Sequence, residues 1–362
     1  MHLYVHFPFC RSKCAYCALH SQAGRPEKER RAYVERIAAG IDRLFAGSAD
    51  RTLSTLYFGG GTPALCDLQP ILDRIAPHLC PAPRPKAQDT RQPTEFTVEL
   101  NPLDVTPALL RKLADGGANR LSMGVQSFDD SVLREMGRPH TAEQARRAWR
   151  MIREAGFGNA GIDLICGWPA ERRDGSISSA WRRSLDEACE LAPDHCSVYT
   201  LILEPGTRLA DEVSKGSVTL PSDDVALAEL AEAERQLSGI GLQRYEISNF
   251  SRPGMECRHN LAVWHGEDYT GLGDGACSRE GNAVSRVIFR LRLLKEGFNP
   301  SDAAAEFPEL APRVQEWRES LDRFASEGLL CAKAPDAPGK TPTYLLTARG
   351  TEVCDTILAE LV

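Results

Sequence analysis

The sequence predicts an α/β fold, a partial (β/α)6 TIM-like barrel followed by a small C-terminal, mostly helical, winged-helix-like domain. Three observations carry this expectation. Six short β-rich runs alternate with helical stretches, an order that implies a parallel sheet with right-handed crossovers. Residues able to do chemistry collect at the C-terminal ends of those runs, where barrels of this kind keep their sites. After about residue 290 the alternation gives way to helical segments around a short strand and a Pro/Gly-rich turn.

The elements follow in order. Leu3–Phe7 reads as a strand ending at a cysteine-rich loop, and Glu27–Phe45 as a helix. Thr55–Phe58 is a strand running into Gly59-Gly60-Gly61-Thr62-Pro63. Phe96–Leu100 is a strand and Thr106–Ala114 a helix. Arg120–Val125 is a strand and Ala142–Ala155 a helix. Gly161–Cys166 and His195–Leu201 close the series, with Ser178–Leu191 helical between them. Residues 77–93 are rich in proline and charge and read as a surface loop between units. Beyond the barrel, Arg313–Glu327 reads as a helix and Thr343–Thr347 as a strand before a last helix.

Composition bounds the function. A chain of 362 residues can bury a large core, as one big domain and a smaller one. The net charge of −7 argues against a general nucleic-acid binder. Twelve cysteines without a secretory signal point to a reducing cytoplasm and not to a disulfide framework. No stretch approaches a membrane-spanning run of apolar residues.

The densest signal is HFPFCRSKCAYC, which places Cys10, Cys14 and Cys17 at Cys-x3-Cys-x2-Cys spacing. Three thiolates this close suit one face of an iron–sulfur cube, which usually takes four. One iron would then lack a protein ligand and be open to a small molecule. The plainer alternatives are a zinc site with His6 or His20 as fourth ligand, or unrelated buried thiols. The glycines at 59–61 let backbone approach a ligand, and successive N–H groups can form a nest for a carboxylate. Alone, such a run is a tight turn. Glu99 and Asp163 are acidic residues within apolar strands and require partners, either a ligand or a structural arginine. Gln126 and Arg138 carry the same two readings. Cys257, His259, His265 and Cys277 could ligate a metal or heme iron, although each alone is more often structural.

Taken in order, YVHFPFC, CxxxCxYC, GGGTP, ELNP, RLSMGVQSF, MGRPHT, DLICGWP, SVYTLILEPGT and YEISNF…ECRHN resemble the radical SAM superfamily. Within it they resemble the oxygen-independent coproporphyrinogen III oxidases and their relatives, the HemW-type heme chaperones. The resemblance runs from Tyr4 to at least Ser278. It implies a [4Fe–4S] cluster on Cys10, Cys14 and Cys17, with S-adenosyl-L-methionine (SAM) as cofactor. Tyr4 and Tyr16 would line the SAM site, and Gly60, Gly61 and Thr62 would hold the methionine part. Glu99, Gln126, Arg138 and Asp163 would complete it, with Ser197 near the adenine or a second ligand. It further implies a radical SAM barrel with a family-specific extension (about 205–285) over residues 1–285, and a HemN-like C-terminal domain over 286–362.

Three features lean toward the chaperone. The oxidase has a further cysteine two residues after the third ligand, where this chain has Leu19. The oxidase also has an N-terminal extension before the cysteine loop, and here the loop begins at residue 10. The chaperones carry HNxxYW, and this chain has His259-Asn260-Leu261-Ala262-Val263-Trp264. Val263 stands where tyrosine is expected, and Cys277 where histidine is usual. The implied function is binding heme and transferring it to an acceptor protein, with His259 as candidate heme ligand. The implied reductant is a flavodoxin or ferredoxin, and peripheral membrane association is compatible. The alternatives are oxidative decarboxylation of coproporphyrinogen III through a 5′-deoxyadenosyl radical, or a radical SAM enzyme of another substrate.

Overall fold

A computed structural model describes residues 1–47, 51–80, 92–170, 177–335, 337 and 339–362. Most of the expected loop at 77–93 therefore lies outside the described residues. Six strands run parallel in chain order: β1 (His2–Phe7), β2 (Thr55–Gly60), β3 (Glu95–Leu100), β4 (Arg120–Gln126), β5 (Ala160–Cys166) and β6 (His195–Thr200). Short strands from residues 243–272 extend this sheet at both edges to nine. Five of the six expected runs differ from the observed strands by one residue at an end, as strand ends commonly do, and the sixth by two. Thr55–Phe58 differs because β2 continues to Gly60.

The strands are near-continuous apolar runs because both faces of a parallel sheet are covered. Leu3, Val5, Leu56, Phe58, Phe96, Val98, Leu121, Met123, Ile162 and Leu164 are wholly buried in one core. Helices α1 (Glu27–Phe45), α2 (Gln69–Ile75), α3 (Pro107–Asp115), α4 (Ala142–Glu154), α5 (Ser179–Glu190) and α6 (Asp223–Gly239) follow the strands. Helix α4 shows why such segments fold. Thr141 and Gln144 form a capping box, the Gln144 amide accepting from the Thr141 N–H at 2.8 Å. Ala142, Ala145, Ala148, Trp149 and Ile152 then fall on one buried face at helical spacing.

The chain forms two compact units. The first comprises residues 1–243, 250–255 and 270–278; the second comprises 244–249, 256–269 and 279–362. The chain thus crosses between units more often than one boundary at 285/286 would have it. The second unit has its own core, in which Trp317, Leu321, Phe298 and Tyr344 are buried. Its C-terminal part places helices before an antiparallel pair, Leu330–Lys333 with Thr343–Leu346, and ends in Cys354–Leu361. Among the described residues no helix is long and apolar enough to cross a membrane.

One buried carboxylate ties the later barrel together. Glu229 on α6 is almost fully buried and accepts from the Gly167 N–H at 2.8 Å and the Ser178 N–H at 3.2 Å. Truncation strands those donors in the core, which costs about 2 kcal/mol or more. Glu229→Ala is expected to lower the midpoint of chemical unfolding accordingly, whereas Glu229→Gln, which keeps an acceptor, is expected to lose less.

Candidate functional site

Parallel strands deliver all their C-terminal ends to one edge, and there a cavity of about 470 Å³ opens. Its wall includes Cys10, Cys14, Tyr16 and Cys17 from the loop after β1, and Gly60, Gly61 and Thr62 from the end of β2 and the turn that follows. Glu99 and Asn101 come from the end of β3, Gln126 and Arg138 from β4 and its following loop, and Asp163 from β5. The mouth carries Leu19, Tyr199, Leu201 and Ile202. Eleven of the thirteen cluster and SAM positions expected from the sequence therefore share one cavity.

The cysteine loop is pinned by main-chain bonds at both sides. The Ala15 N–H donates to the Met136 carbonyl at 2.8 Å, and the Ala15 carbonyl accepts from the Leu209 N–H at 2.9 Å. All three cysteines are free thiols and partly exposed to the cavity. Burial raises the Cys10 thiol, and Cys14 and Cys17 nearby raise it further. An Arg138 Nη donates toward Cys14 Sγ at 3.5 Å. A thiol held up by burial and by its neighbours is a ligand whose charge a cationic iron centre would offset.

The glycine loop is built against β1. The Gly61 and Thr62 N–H groups donate to the Phe7 and Phe9 carbonyls, each at 2.7 Å. A Cβ at Gly61 would stand 2.5 Å from the Phe9 carbonyl oxygen and 3.0 Å from Cys10 Sγ. Gly60 has φ of +100°, and a Cβ there would strike the buried His6 ring at 2.4 Å. That ring cannot move aside, because its nitrogens meet the Tyr4 hydroxyl at 3.0 Å and the His20 carbonyl at 2.8 Å. Glycine is required here because the backbone itself forms the cavity wall.

Glu99 and Asp163 line the cavity beside apolar strand residues. The Tyr57 hydroxyl donates to Glu99 at 2.8 Å and the Gly60 N–H at 3.0 Å. Burial still pushes the Glu99 carboxyl up to about 7, with the charge of Asp163 adding to it. Burial raises Asp163 as well, against hydrogen bonds from Ser197 and from Ser122 at 3.0 Å. Gln126 is a rare non-glycine at positive φ, +72°, where the β4–β5 register shifts. Its amide lies over Gly124, where a Cβ would be 3.0 Å away, and its Oε1 is a buried acceptor without a partner. Two proton-hungry carboxylates, an unmet amide oxygen and a strained backbone make a wall ready for a cationic, hydrogen-bonding ligand.

Two expected SAM-site residues do not reach the cavity. Tyr4 stands behind its lining, against His6 and the Tyr57 ring at 5.9 Å. Ser197 is buried in β6 and bonds Asp163, so it acts on the wall and does not form it. His259 belongs to the second unit, where it is 6% exposed with its ring 6.1 Å from Tyr269. His265 meets Glu296 at 2.8 Å, Cys257 is buried and Cys277 exposed. Among the described residues no three His, Cys, Asp or Glu side chains close around a single ion. A zinc ion demands that single focus, whereas a cube puts each thiolate on its own iron.

Sequence reasoning missed four contributors. Arg11 Nε donates to the buried Asp104 at 2.9 Å, joining the cysteine loop to the turn after β3. His140 is buried and its Nε2–H donates to the Val125 carbonyl at 3.1 Å, next to the strained Gln126. Ile202 and Leu201 reach the mouth from beyond β6. Only the MGRPHT run hinted at one of these, by placing His140 two residues after Arg138.

An open parallel barrel whose first loop brings three cysteines beside a close-packed glycine turn defines a radical SAM protein. Residues 4–176 match the Radical SAM superfamily. The heme chaperone HemW of Mycobacterium tuberculosis is 35% identical over 390 aligned residues, covering 99% of this chain and 94% of that protein. HemW of Escherichia coli is 34% identical, covering 76% of this chain and 68% of that one. Among solved structures, coproporphyrinogen III oxidase (HemN) from Escherichia coli superposes with a TM-score of 0.77 over 99% of this chain and 89% of that one, at 22% identity. The chain belongs to the HemW family of radical SAM proteins. The superfamily implies a [4Fe–4S] cluster and SAM, and the thiol trio, the glycine cradle and the unmet Gln126 oxygen fit both.

Glu99 supplies a test of the cavity's electrostatics. A carboxyl raised to about 7 in the fold holds its proton longer than in the unfolded chain. Stability of the unliganded protein should therefore fall as pH rises from about 4.5 to about 7, then level off. Glu99 faces the partly open cavity, so solvent limits the effect to about 1–2 kcal/mol. Glu99→Gln is expected to flatten that stability profile and to raise unfolding stability at pH 7.5, while weakening SAM binding at least tenfold by calorimetry. An unchanged pH profile would contradict the assignment of the buried charge.

Proposed function

We propose that this chain is a cytoplasmic heme chaperone that holds heme and passes it to an acceptor protein. The observation that carries this reading is the alignment to HemW over nearly the full length of both chains. The cavity mouth supports it. Leu19, Tyr199 and Ile202 are 56%, 43% and 68% exposed, an apolar rim suited to a flat macrocycle. In this reading Cys10, Cys14 and Cys17 ligate the cluster. Gly60, Gly61 and Thr62 hold the methionine part of SAM, Glu99 and Asp163 its amino and hydroxyl groups, and Gln126 and Arg138 orient it. When bound, the reduced cluster can supply an electron to SAM. The protein's own part is to orient the cofactor and keep water from it.

His259 stays the candidate iron ligand, and its burial means that ligation requires local opening of the helix Arg258–Trp264. A reductant such as flavodoxin or ferredoxin and an unidentified acceptor complete the partner set. The runner-up is anaerobic oxidation of coproporphyrinogen III. Leu19, exposed at the mouth, stands where that enzyme's further cysteine is expected.

Anaerobically reconstituted protein is expected to bind about one heme with a sharp Soret band. That band should weaken in His259→Ala if this histidine holds the iron, and in Leu19→Glu/Ile202→Glu if the rim bears the macrocycle. Normal cluster absorbance without saturable heme binding would overturn the chaperone reading. The coproporphyrinogen assay would then decide the alternative.

A further inference from the structure

Beneath the cavity, the inner face of the barrel carries a buried cation. Arg120 opens β4 and is 1% exposed. Ser122 and Gly124 alternate onto the same face, since the Ser122 hydroxyl bonds Asp163 at 3.0 Å and Gly124 lines the cavity. Leu121, Met123 and Val125 belong to the apolar core on the other face. Register sets Arg120 beside Thr97 and Ser122 beside Glu99. Arg120 thus starts one pleat repeat below both acids' layer, about 6.6 Å of strand, near enough for a charge shielded from water to act. Its place is pinned by Asn119, which accepts from the Phe96 N–H at 2.9 Å and donates to the Thr94 carbonyl at 2.7 Å. On β6, His195 faces the same interior, opposite Gly161, where a Cβ would stand 3.2 Å from its Nδ1. Glu95 on β3 and His2 on β1 lie on this face at the strands' other end, His2 meeting the Thr55 hydroxyl at 2.9 Å.

A buried guanidinium is unfavourable unless negative charge faces it. Methionine would fill a similar length without that penalty, so the charge and not the volume needs a reason. The two cavity acids supply one. Glu99 is met by the Tyr57 hydroxyl and the Gly60 N–H, and Asp163 by Ser122, Ser197 and the charge of Arg138. Arg120 acts on both and favours their ionised forms. Burial, and after it Arg120, keeps His195 neutral. Burial still outweighs these partners at Glu99, whose carboxyl ends at about 7.

We propose that Arg120 is a positioning residue of the cofactor wall, the positive charge beneath Glu99 and Asp163 that lets both meet a cationic ligand as carboxylates. It does not line the cavity, and its effect passes through the two acids. The inference rests on Glu99 and Asp163 receiving SAM, as proposed above, but not on heme binding.

The test uses the full chain. In the apo protein, the protonated-carboxyl band of Glu99 is followed against pH by infrared difference spectroscopy and assigned with Glu99→Gln. Wild type is expected to titrate at about 7. Arg120→Met is expected to raise that midpoint by at least one pH unit, whereas Arg120→Lys, which keeps the charge, stays near wild type. SAM affinity is measured by calorimetry on the reconstituted, unreduced protein. In Arg120→Met it should fall at least fivefold at pH 7 and return to within about twofold of wild type at pH 9, where both acids ionise unaided. A loss that persists at pH 9 would mark a residue that only shapes the barrel and would overturn the proposal. An unmoved Glu99 midpoint in folded Arg120→Met overturns it as well. If Arg120→Met does not fold, NMR of wild type decides. The Arg120 Nε–H resonance should then shift with the Glu99 titration and stay still in Glu99→Gln, and a resonance indifferent to Glu99 defeats the proposal. If wild type binds no SAM, the SAM reading fails separately, and the infrared midpoint still decides the role of Arg120.

Discussion

The parallel register of six strands is the constraint on which everything else depends. Because β1 to β6 all run one way, every strand ends at the same edge. Residues separated by 153 positions in sequence, Cys10 and Asp163, then face one cavity. An antiparallel neighbour would send one of those ends to the opposite edge. The register is enforced by the core: a slip of one residue would turn Val98 or Ile162 out and bring polar neighbours in. The sheet relaxes this rule at Gln126, where the register shift turns a glutamine side chain over Gly124.

The cavity that results is uncomfortable without a ligand. Glu99 is pushed up to about 7, Asp163 rises with it, and the thiol of Cys10 is raised by burial and by its neighbours. Each group favours its neutral form until something of opposite charge arrives. Stability is thus given up at the site and recovered in the apolar core around it, the pattern expected where a fold keeps a binding wall ready. His140 is the complement. Burial and Arg138 hold it down to about 3, so it stays neutral and keeps its hydrogen bond to Val125 across the working pH range.

The sequence made much of this legible, because the strongest signals were local. Cysteine spacing, the glycine run after a strand, and acids inside apolar strands each carry their meaning within a few residues. The residues left out of the cavity were those whose role depends on how far along a strand they lie. Tyr4 and Ser197 share their strand faces with His6 and Tyr199 but lie two residues further from the C-terminal edge, where they bond His6 and Asp163. The positive φ of Gln126, the Arg11–Asp104 link and the rim residues beyond β6 arise from tertiary packing and have no local signature.

The central claim is that three thiolates hold a four-iron cluster and leave one iron for SAM. Mössbauer spectroscopy of the protein reconstituted with ⁵⁷Fe, recorded with and without SAM, tests it most directly. The account predicts iron sites in a three-to-one ratio, with only the unique site shifting when SAM is added and not doing so in Glu99→Gln. Four equivalent irons indifferent to SAM, or a signal that survives replacement of Cys10, Cys14 and Cys17 by alanine, would contradict it.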